Sequence, residues 1–594
     1  MFKSIPDLFF KSIEDHADND LFRFLKDDKV KSITYSEFGE QVKDMSHALW
    51  DLGLKKGDRV AILSGNLPEW VCCDMSGFCV QAIVVPIYPT LPANQIEYIL
   101  KDCQARAIFV ENQLQYKKIK EIKKSLPNLE FVISFNELEE NKAKVLKYDH
   151  VLTKGQLHRE ANPDQFEKSV NSIMPDEVCT YVYTSGTTGY PKGVMLHHKG
   201  FIKDIVNAEK VLNLFPDDVF LSFLPLSHLF ERLAGHWCPM YRGATIHYAR
   251  SIDTVVEDIA IARPTIMVSV PRLYEKVAAA VKEQIESGSS VKRNLFYWAI
   301  GTGLEYHEKR IEGKVGNWLK RRHQFAEKVV FSKIKSKLGG KFRIPIAGGA
   351  PLSVDTLKFF EAIGLRIIEG YGMTETHLII TLTPPGKTKY GSCGKPIKGV
   401  DVKIAKDGEV LIKGDTVMKG YYNKPDLTAE TIDKDGWLHT GDIGHLDEDK
   451  YLFLTDRKKN IIVTSGGKNI APAPIEHLLK MSKYVEDVCL IGNQRKFISA
   501  LVIPNFEMLK QFLKEKGKTT ENSKEIVDDK EIKILFGDEF NRLQKSLASY
   551  ETVKKFILLY EPLSIDKGEL TPSLKIKRSV VEKNYKSQID GLYN

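Results

Sequence analysis

Eleven residues at the end of the strand-like run VCTYVY carry the sharpest chemical signal in the chain: Tyr183-Thr184-Ser185-Gly186-Thr187-Thr188-Gly189-Tyr190-Pro191-Lys192-Gly193. Three glycines let the backbone approach a ligand closely. The hydroxyls of Thr184, Ser185, Thr187 and Thr188 can donate to oxyanions, and Lys192 adds a point charge. Those are the requirements of a polyphosphate-binding loop. The spacing GxxGxxKG differs from the GxxxxGK[ST] of a P-loop, and Gly193 stands where a magnesium-binding hydroxyl would be. P-loop ATPase and kinase chemistry therefore lose support.

Such a loop has to be mounted on regular elements, and the sequence supplies them. Apolar runs at 59–65, 82–88, 105–110 and 130–135 alternate with longer amphipathic segments such as YSEFGEQVKDMSHALWDLG. Strand alternating with helix predicts a parallel α/β sheet. Pro271 opens a helix at its favoured first position, with Leu273, Val277, Val281 and Ile285 recurring every four residues. From about residue 390, short strands separated by Gly and Asp turns predict a small β-rich subdomain. After Arg457 a new α+β unit begins, with strands IIVTSGG and VCLIGN, the helix PIEHLLKMS and a charged helical stretch at 505–555. The polar DRKKN at 456–460 suits a boundary. The expected architecture is α/β, with a large N-terminal domain over 1–456 and a small C-terminal domain over 457–594.

Composition bounds the rest. With 594 residues, 43% apolar and 28% charged, the chain has ample material for large cores, and disordered, collagenous and disulfide-scaffold classes drop out. The net charge of +8 sits in one place: 309–341 holds eleven Lys and Arg against Glu312 and Glu327. Neutrality elsewhere argues against a nucleic-acid partner and leaves two readings of that segment, a solvated helical face or a surface for an anionic partner such as phospholipid. Eight scattered cysteines show no CxxC pair, so neither zinc nor disulfides are indicated. No apolar run is long enough to cross a membrane, and the N-terminus turns acidic at once, without a signal or transit pattern. The expected location is cytoplasmic, with peripheral contact to the inner face of a membrane as a further option.

The loop YTSGTTGYPKGV resembles the signature of the adenylate-forming superfamily of acyl-CoA synthetases, luciferases and peptide-synthetase adenylation domains. Further blocks follow in that superfamily's order: LPLSHLFER (224–232), AGGAPL (347–352), YGMTET (371–376), WLHTGD (437–442), DRKKN (456–460) and TPSLKIKR (571–578). The resemblance spans about 180 to 578.

It implies roles residue by residue. Thr184, Ser185, Gly186, Thr187, Thr188, Gly189 and Lys192 would cradle the β- and γ-phosphates of ATP. Glu375 would ligate Mg²⁺ with Thr374 beside it, and Tyr371 would stack on adenine near Gly348, Gly349 and Ala350, with Gly372 also in the nucleotide site. Asp442 would accept from the ribose hydroxyls and Arg457 would reach the ribose from the hinge. Lys575 would be the catalytic lysine bridging carboxylate and α-phosphate, although TPSLKIKR departs from the SGK pattern of small-molecule ligases and Lys577 lies close by. His228 would lie near the acyl carboxylate or the approaching thiol. The superfamily rotates a mobile C-terminal domain between half-reactions, which places SGGKNIAPAPIE, with Gly466 and Gly467, beside the pantetheine of coenzyme A.

GGKNIAPAPIE together with LTPSLKIKR resembles the long-chain fatty acyl-CoA synthetases, and the helical 272–341 region and the 505–555 insertion suit that subgroup. The expected substrates are a long-chain fatty acid, ATP and CoA. At ~0.8 kcal/mol per buried CH₂, tunnel length would be a strong chain-length selector. Two competing readings remain: a fatty acyl-AMP ligase serving a carrier protein, and a non-catalytic binding protein. The second would normally have lost one of Lys192, Glu375, Asp442, Arg457 or Lys575, and all are present.

Overall fold

A computed structural model of the chain describes residues 2–139, 145–184, 191–384, 386–571 and 575–593. The apolar runs are strands: Arg59–Leu63, Ile83–Ile87, Ala107–Val110 and Phe131–Ser134 pair in parallel, in adjacent register. Nearly every residue in them is buried, because helices cover both faces of a parallel sheet and no alternation of polar and apolar residues is needed. Among the described residues they form the centre of an eight-stranded sheet. It ends on one side with Val178–Thr184, Lys192–His197 and Gly420–Tyr421, and on the other with Val145–Lys147.

A second sheet, nine-stranded among the described residues, runs Lys395–Pro396, Thr381–Leu382, Ile368–Tyr371, Ile344–Ala347, Ile266–Ser269, Val219–Ser222, Thr245–Tyr248, Asp20–Lys26 and Lys29–Thr34. Its six central strands are parallel and both edges are antiparallel. A four-stranded sheet of Val400–Ile404, Glu409–Gly414, Leu438–Leu446 and Leu452–Arg457 is the β-rich texture expected from about residue 390.

The chain divides into two compact units. One comprises Met1–Lys403, Leu411–His439 and Leu446–Phe453, the other Ile404–Val410, Thr440–His445 and Leu454–Asn594. The second unit centres on the fully buried strand Ser499–Pro504, antiparallel to Val485–Ile491 and parallel to Lys555–Leu558. Helices Pro472–Leu479, Phe506–Glu515 and Lys530–Leu543 pack apolar residues such as Ile475, Leu509 and Phe536 into its core.

One expectation changes. The run IIVTSGG is a strand only over Ile462–Val463, where it forms a small hairpin with Asn469–Ile470. Gly467, at φ +73°, turns the chain there and closes the turn by donating its N–H to the Thr464 carbonyl. The 272–341 region is helical as expected, as Pro271–Glu286, Ser290–Ile311, Asn317–Ala326 and Ser332–Lys337 with a π-helical step at Glu327–Phe331. Among the described residues no helix is long and apolar enough to cross a membrane. All eight cysteines are free thiols, and all but Cys393 are buried, as expected of small core residues.

Candidate functional site

Ser185, Gly186, Thr187, Thr188 and Gly189 lie outside the described residues. The two ends of their loop are defined by the antiparallel pairing of Val178–Thr184 with Lys192–His197, which sets Thr184 directly opposite Lys192. Gly193 is glycine for a reason of space, since a Cβ there would meet the Tyr183 ring at 3.1 Å. Tyr183 in turn donates its hydroxyl to Asp102 at 2.6 Å.

The short strand Gly420–Tyr421 pairs with Val194 and Met195 and brings Tyr421 alongside Lys192. The Lys192 ammonium sits 4.2 Å from the centroid of the Tyr421 ring, and the Tyr421 hydroxyl donates to Glu375 Oε1 at 2.8 Å. Burial holds the Lys192 ammonium below the ordinary lysine range; the Glu375 carboxylate opposes that and Lys424 adds to it. Burial, followed by the Glu375 charge, pushes the Tyr421 phenol up, so it stays a donor at neutral pH. A cation, a hydroxyl and a buried carboxylate thus converge at the mouth of the phosphate loop. Tyr421 carried no recognisable signal in the sequence beyond its place in GYYN.

Glu375 is held from several directions. It lies in a 3₁₀ turn, Thr374–Thr376, after the strand Ile368–Tyr371, and its carbonyl accepts from the Met418 N–H at 2.8 Å. Gly372 is obligatory: a Cβ there would fall 1.2 Å from the Leu378 carbonyl oxygen. The chain leaves the turn through His377 at φ +61°, and that ring's Nδ1 lies 2.6 Å from the Thr416 carbonyl while Nε2 lies 2.9 Å from the His197 N–H. Nδ1 thus faces one backbone carbonyl, while Nε2 faces both the N–H and, at 3.0 Å, the carbonyl of His197. Burial, with His197 adding to it, keeps this ring neutral.

Ala347 and Glu369 are register partners in neighbouring parallel strands. Gly348, Gly349 and Ala350 therefore leave the sheet at the same carboxyl edge as Tyr371 and Gly372, the usual place for a nucleotide in an open α/β sheet. A Cβ on Gly348 would meet the Phe230 ring at 2.9 Å, so the His228 segment lies against this edge. His228 Nδ1 accepts the Phe230 N–H at 3.1 Å, which leaves Nε2 to carry a proton. The following Phe230–Trp237 is π-helical, and it buries Arg232 against Asp74, Thr180 and the Trp237 indole. Trp237 is enclosed by Phe78, Phe201 and Arg232 and serves as core.

In the second unit Asp442 is buried, its Oδ1 3.1 Å from Arg457 Nε, and its N–H donates to Thr440 Oγ1 at 3.0 Å. Gly441, at φ +70°, donates its N–H to Glu409 Oε1, whose partner oxygen meets Lys458. Lys575 lies within electrostatic range of both site residues. Desolvation first and the Arg457 guanidinium second pull its ammonium below the usual lysine range, and Asp442 opposes them. Its backbone N–H donates to Thr571 Oγ1 at 3.0 Å and its carbonyl accepts the Thr571 N–H. Arg578, three residues on, is fixed against Glu476 at 2.6 Å, so this C-terminal block is anchored rather than a free basic tail. Gly466 and Gly467 form the exposed tip of the Thr464–Lys468 turn.

The residues present fit magnesium in one specific way. Among the described residues no three His, Cys, Asp or Glu side chains cluster as a protein-made cage. Mg²⁺ is ordinarily held by one or two carboxylates together with substrate phosphates, and Glu375 beside Lys192 offers that arrangement.

The sequence pattern of the AMP-binding enzyme family matches residues 9–422, and that of the AMP-binding enzyme C-terminal domain matches 459–594. The chain is 33% identical to the long-chain-fatty-acid–CoA ligase ACSBG2 of Xenopus laevis, over 99% of this chain and 84% of the relative. It is 31% identical to the long-chain-fatty-acid–CoA ligase FadD15 of Mycobacterium tuberculosis, over 100% of this chain and 97% of the relative. Solved structures share the fold. The anthranilate CoA ligase AuaEII, in complex with anthranoyl-AMP, aligns with a TM-score of 0.72 at 20% identity over 99% of this chain and 98% of its own. The adenylation domain of a carboxylate reductase from Mycobacterium chelonae aligns with a TM-score of 0.75 at 22% identity over 99% and 91%. With its phosphate loop, its carboxylate turn and its C-terminal lysine block in the family's order, the chain belongs to the AMP-binding enzyme family.

Proposed function

We propose that this enzyme is an AMP-forming long-chain fatty acid–CoA ligase. In the first half-reaction a fatty carboxylate oxygen attacks the α-phosphorus of ATP, the bond to the β-phosphate oxygen breaks, and pyrophosphate leaves. In the second, the CoA thiol, losing its proton, attacks the acyl carbon of the acyl-AMP, and AMP departs with the carbon–oxygen bond pair. The observation that carries the reading is the Lys192–Tyr421–Glu375 cluster at the mouth of the phosphate loop, in a chain similar end to end to long-chain-fatty-acid–CoA ligases.

The chemistry asks each group for one thing. Two anions must meet, so Lys192, Thr184 and the loop hydroxyls would neutralise the phosphates. Glu375 would hold Mg²⁺, which when bound would supply charge neutralisation for the phosphates. Tyr371, with Gly348, Gly349 and Ala350, would hold adenine, and Asp442 with Arg457 the ribose. The buried Asp442 carboxylate suits a vicinal diol that offers two donors. Lys575 would donate to the reacting carboxylate and α-phosphate in adenylation. Gly466 and Gly467 would pass the pantetheine in thioester formation, and His228, with Nε2 as its proton-bearing atom, would lie near the acyl group. On this division residues 1–456 bind ATP and acid, and 457–594 contribute the catalytic lysine and the CoA-facing turn. Free thiols throughout support a reducing, cytoplasmic setting.

The deciding experiment incubates purified protein with ATP, magnesium, CoA and a mixture of short to long fatty acids, and identifies products by mass spectrometry. Long-chain acyl-CoA with AMP is expected. Acyl-AMP accumulating without thioester would point instead to a ligase serving a carrier protein, and ADP would overturn adenylation altogether.

A further inference from the structure

The excess charge of the chain lies on one structural feature. Helices Ser290–Ile311 and Asn317–Ala326 and the turn between them carry exposed apolar side chains among the cations of 309–341. Trp318 is 70% exposed, Phe325 55% and Ile311 53%. Trp318 is the only exposed tryptophan of the six in the chain.

Trp318 and Phe325 are seven residues apart on one helix and so share a face. Arg322 lies between them, its guanidinium 4.5 Å from the Trp318 ring centroid and 5.8 Å from that of Trp298, and Trp298 meets Phe325 edge-on at 5.9 Å. Arg322 is itself anchored to Thr302 at 3.0 Å and to Glu305 at 3.3 Å. These contacts order the aromatic groups into a ridge without burying them. In the same basic segment, Lys320, Arg321, Lys328, Lys333 and Lys341 are exposed and, among the described residues, make no ion pair. The acidic groups of the segment are already engaged: Glu312 by Lys309 and Lys314, and Glu327 by Lys335.

A soluble helix face gains nothing by holding Trp and Phe out in water, and a purely solvated one would intersperse both signs of charge. Exposed Trp and Phe flanked by unpaired Lys and Arg are what the interfacial zone of an anionic bilayer accommodates: the rings enter at headgroup level while the cations meet phosphates. We infer that the Trp318–Phe325 ridge and the cations beside it form a docking surface for anionic lipid bilayers. The surface stands on its own geometry. Its purpose rests on the ligase reading, because a long-chain acid resides mainly in membranes and docking would place the enzyme at its source.

The test is co-sedimentation of the full chain with phosphatidylcholine vesicles with and without phosphatidylglycerol, at low and high salt. The wild type is compared with Trp318→Ser/Phe325→Ser and with Lys320→Glu/Arg321→Glu. Binding to the anionic vesicles is expected to fall about tenfold or more in each variant, and to weaken with salt in the wild type. Ligase activity on a long-chain acid supplied in detergent solution without vesicles is measured alongside and is expected to stay at the wild-type level. This separates a failed surface from a failed enzymatic reading. Wild-type-like binding by both variants, or equal binding to neutral and anionic vesicles at all salt concentrations, would overturn the inference. So would a ridge variant that abolishes concentration-dependent self-association without affecting vesicle binding, because the ridge would then be covered by a second copy of the chain.

Discussion

Tyr421 donates its hydroxyl to Glu375 Oε1 at 2.8 Å while its ring face receives the Lys192 ammonium at 4.2 Å, so one side chain spaces a cation and a carboxylate that would otherwise pair directly. On the proposed reading, this spacing would leave Lys192 to phosphate and Glu375 to magnesium. Tyr421→Phe keeps the ring and removes the hydrogen bond to a charged acceptor. It should raise the KM for magnesium-ATP about tenfold. A titration of rate against Mg²⁺ checks this, and an unchanged metal dependence would remove Tyr421 from the metal site.

Lys575 and Asp442 should separate the half-reactions. Lys575→Ala is expected to slow adenylation about a hundredfold or more, as loss of a positioned donor does, while thioester formation from supplied acyl-AMP proceeds. Asp442→Ala should impair both steps, because the nucleotide stays bound through each. Pyrophosphate release and acyl-CoA formation measured separately decide it. Equal loss of the two steps in Lys575→Ala would sink the assignment of that lysine.

The Arg232–Asp74 pair is fully buried and joins the helix Pro68–Cys79 to the π-helical segment after His228. Removing one partner leaves an uncompensated buried charge, so Arg232→Met should cost about 3–5 kcal/mol. The double variant Arg232→Met/Asp74→Asn should recover part of that loss. Urea midpoints of the wild type, of Arg232→Met and Asp74→Asn singly and of the double variant provide the check, and additive losses would show that the pair is not coupled.

Burial pushes the Glu231 carboxyl up to about 8, with Ser222 opposing, and pushes His236, 3.5 Å away, down to about 3. At neutral pH both are uncharged in the fold. The unfolded chain ionises Glu231 above its ordinary value of 4.5, so between there and about 8 the folded state holds the extra proton and stability falls as pH rises. For His236 the sign reverses: stability is lost as pH falls from 6.5 toward about 3. Glu231→Gln should therefore flatten the decline in melting temperature from pH 5 to pH 8 and leave the acid side unchanged. Parallel curves for wild type and variant would exclude Glu231 as its source.

What the sequence alone determined about this protein is local or ordered along the chain. The phosphate loop, the order of its companion blocks and the buried strands around Arg59–Leu63 were legible because a short run carries its own composition and period. The parallel α/β class followed from those runs, and the small β-rich sheet from its Gly and Asp turns. Lys575, Asp442 and Arg457, far apart in sequence, were named through resemblance and not through spacing. The tertiary structure decided which distant groups meet. Tyr421 reaches Glu375 because a two-residue strand pairs with Met195 and Val194, too short a segment to show any periodicity. Arg232 finds Asp74 on a helix 158 residues away in sequence, and the ring of His377 bridges the Thr416 and His197 backbones. Apolar periodicity reports which face of an element is buried. It does not say which elements share an edge, and that is where hydrogen bonds and charges between remote residues are set.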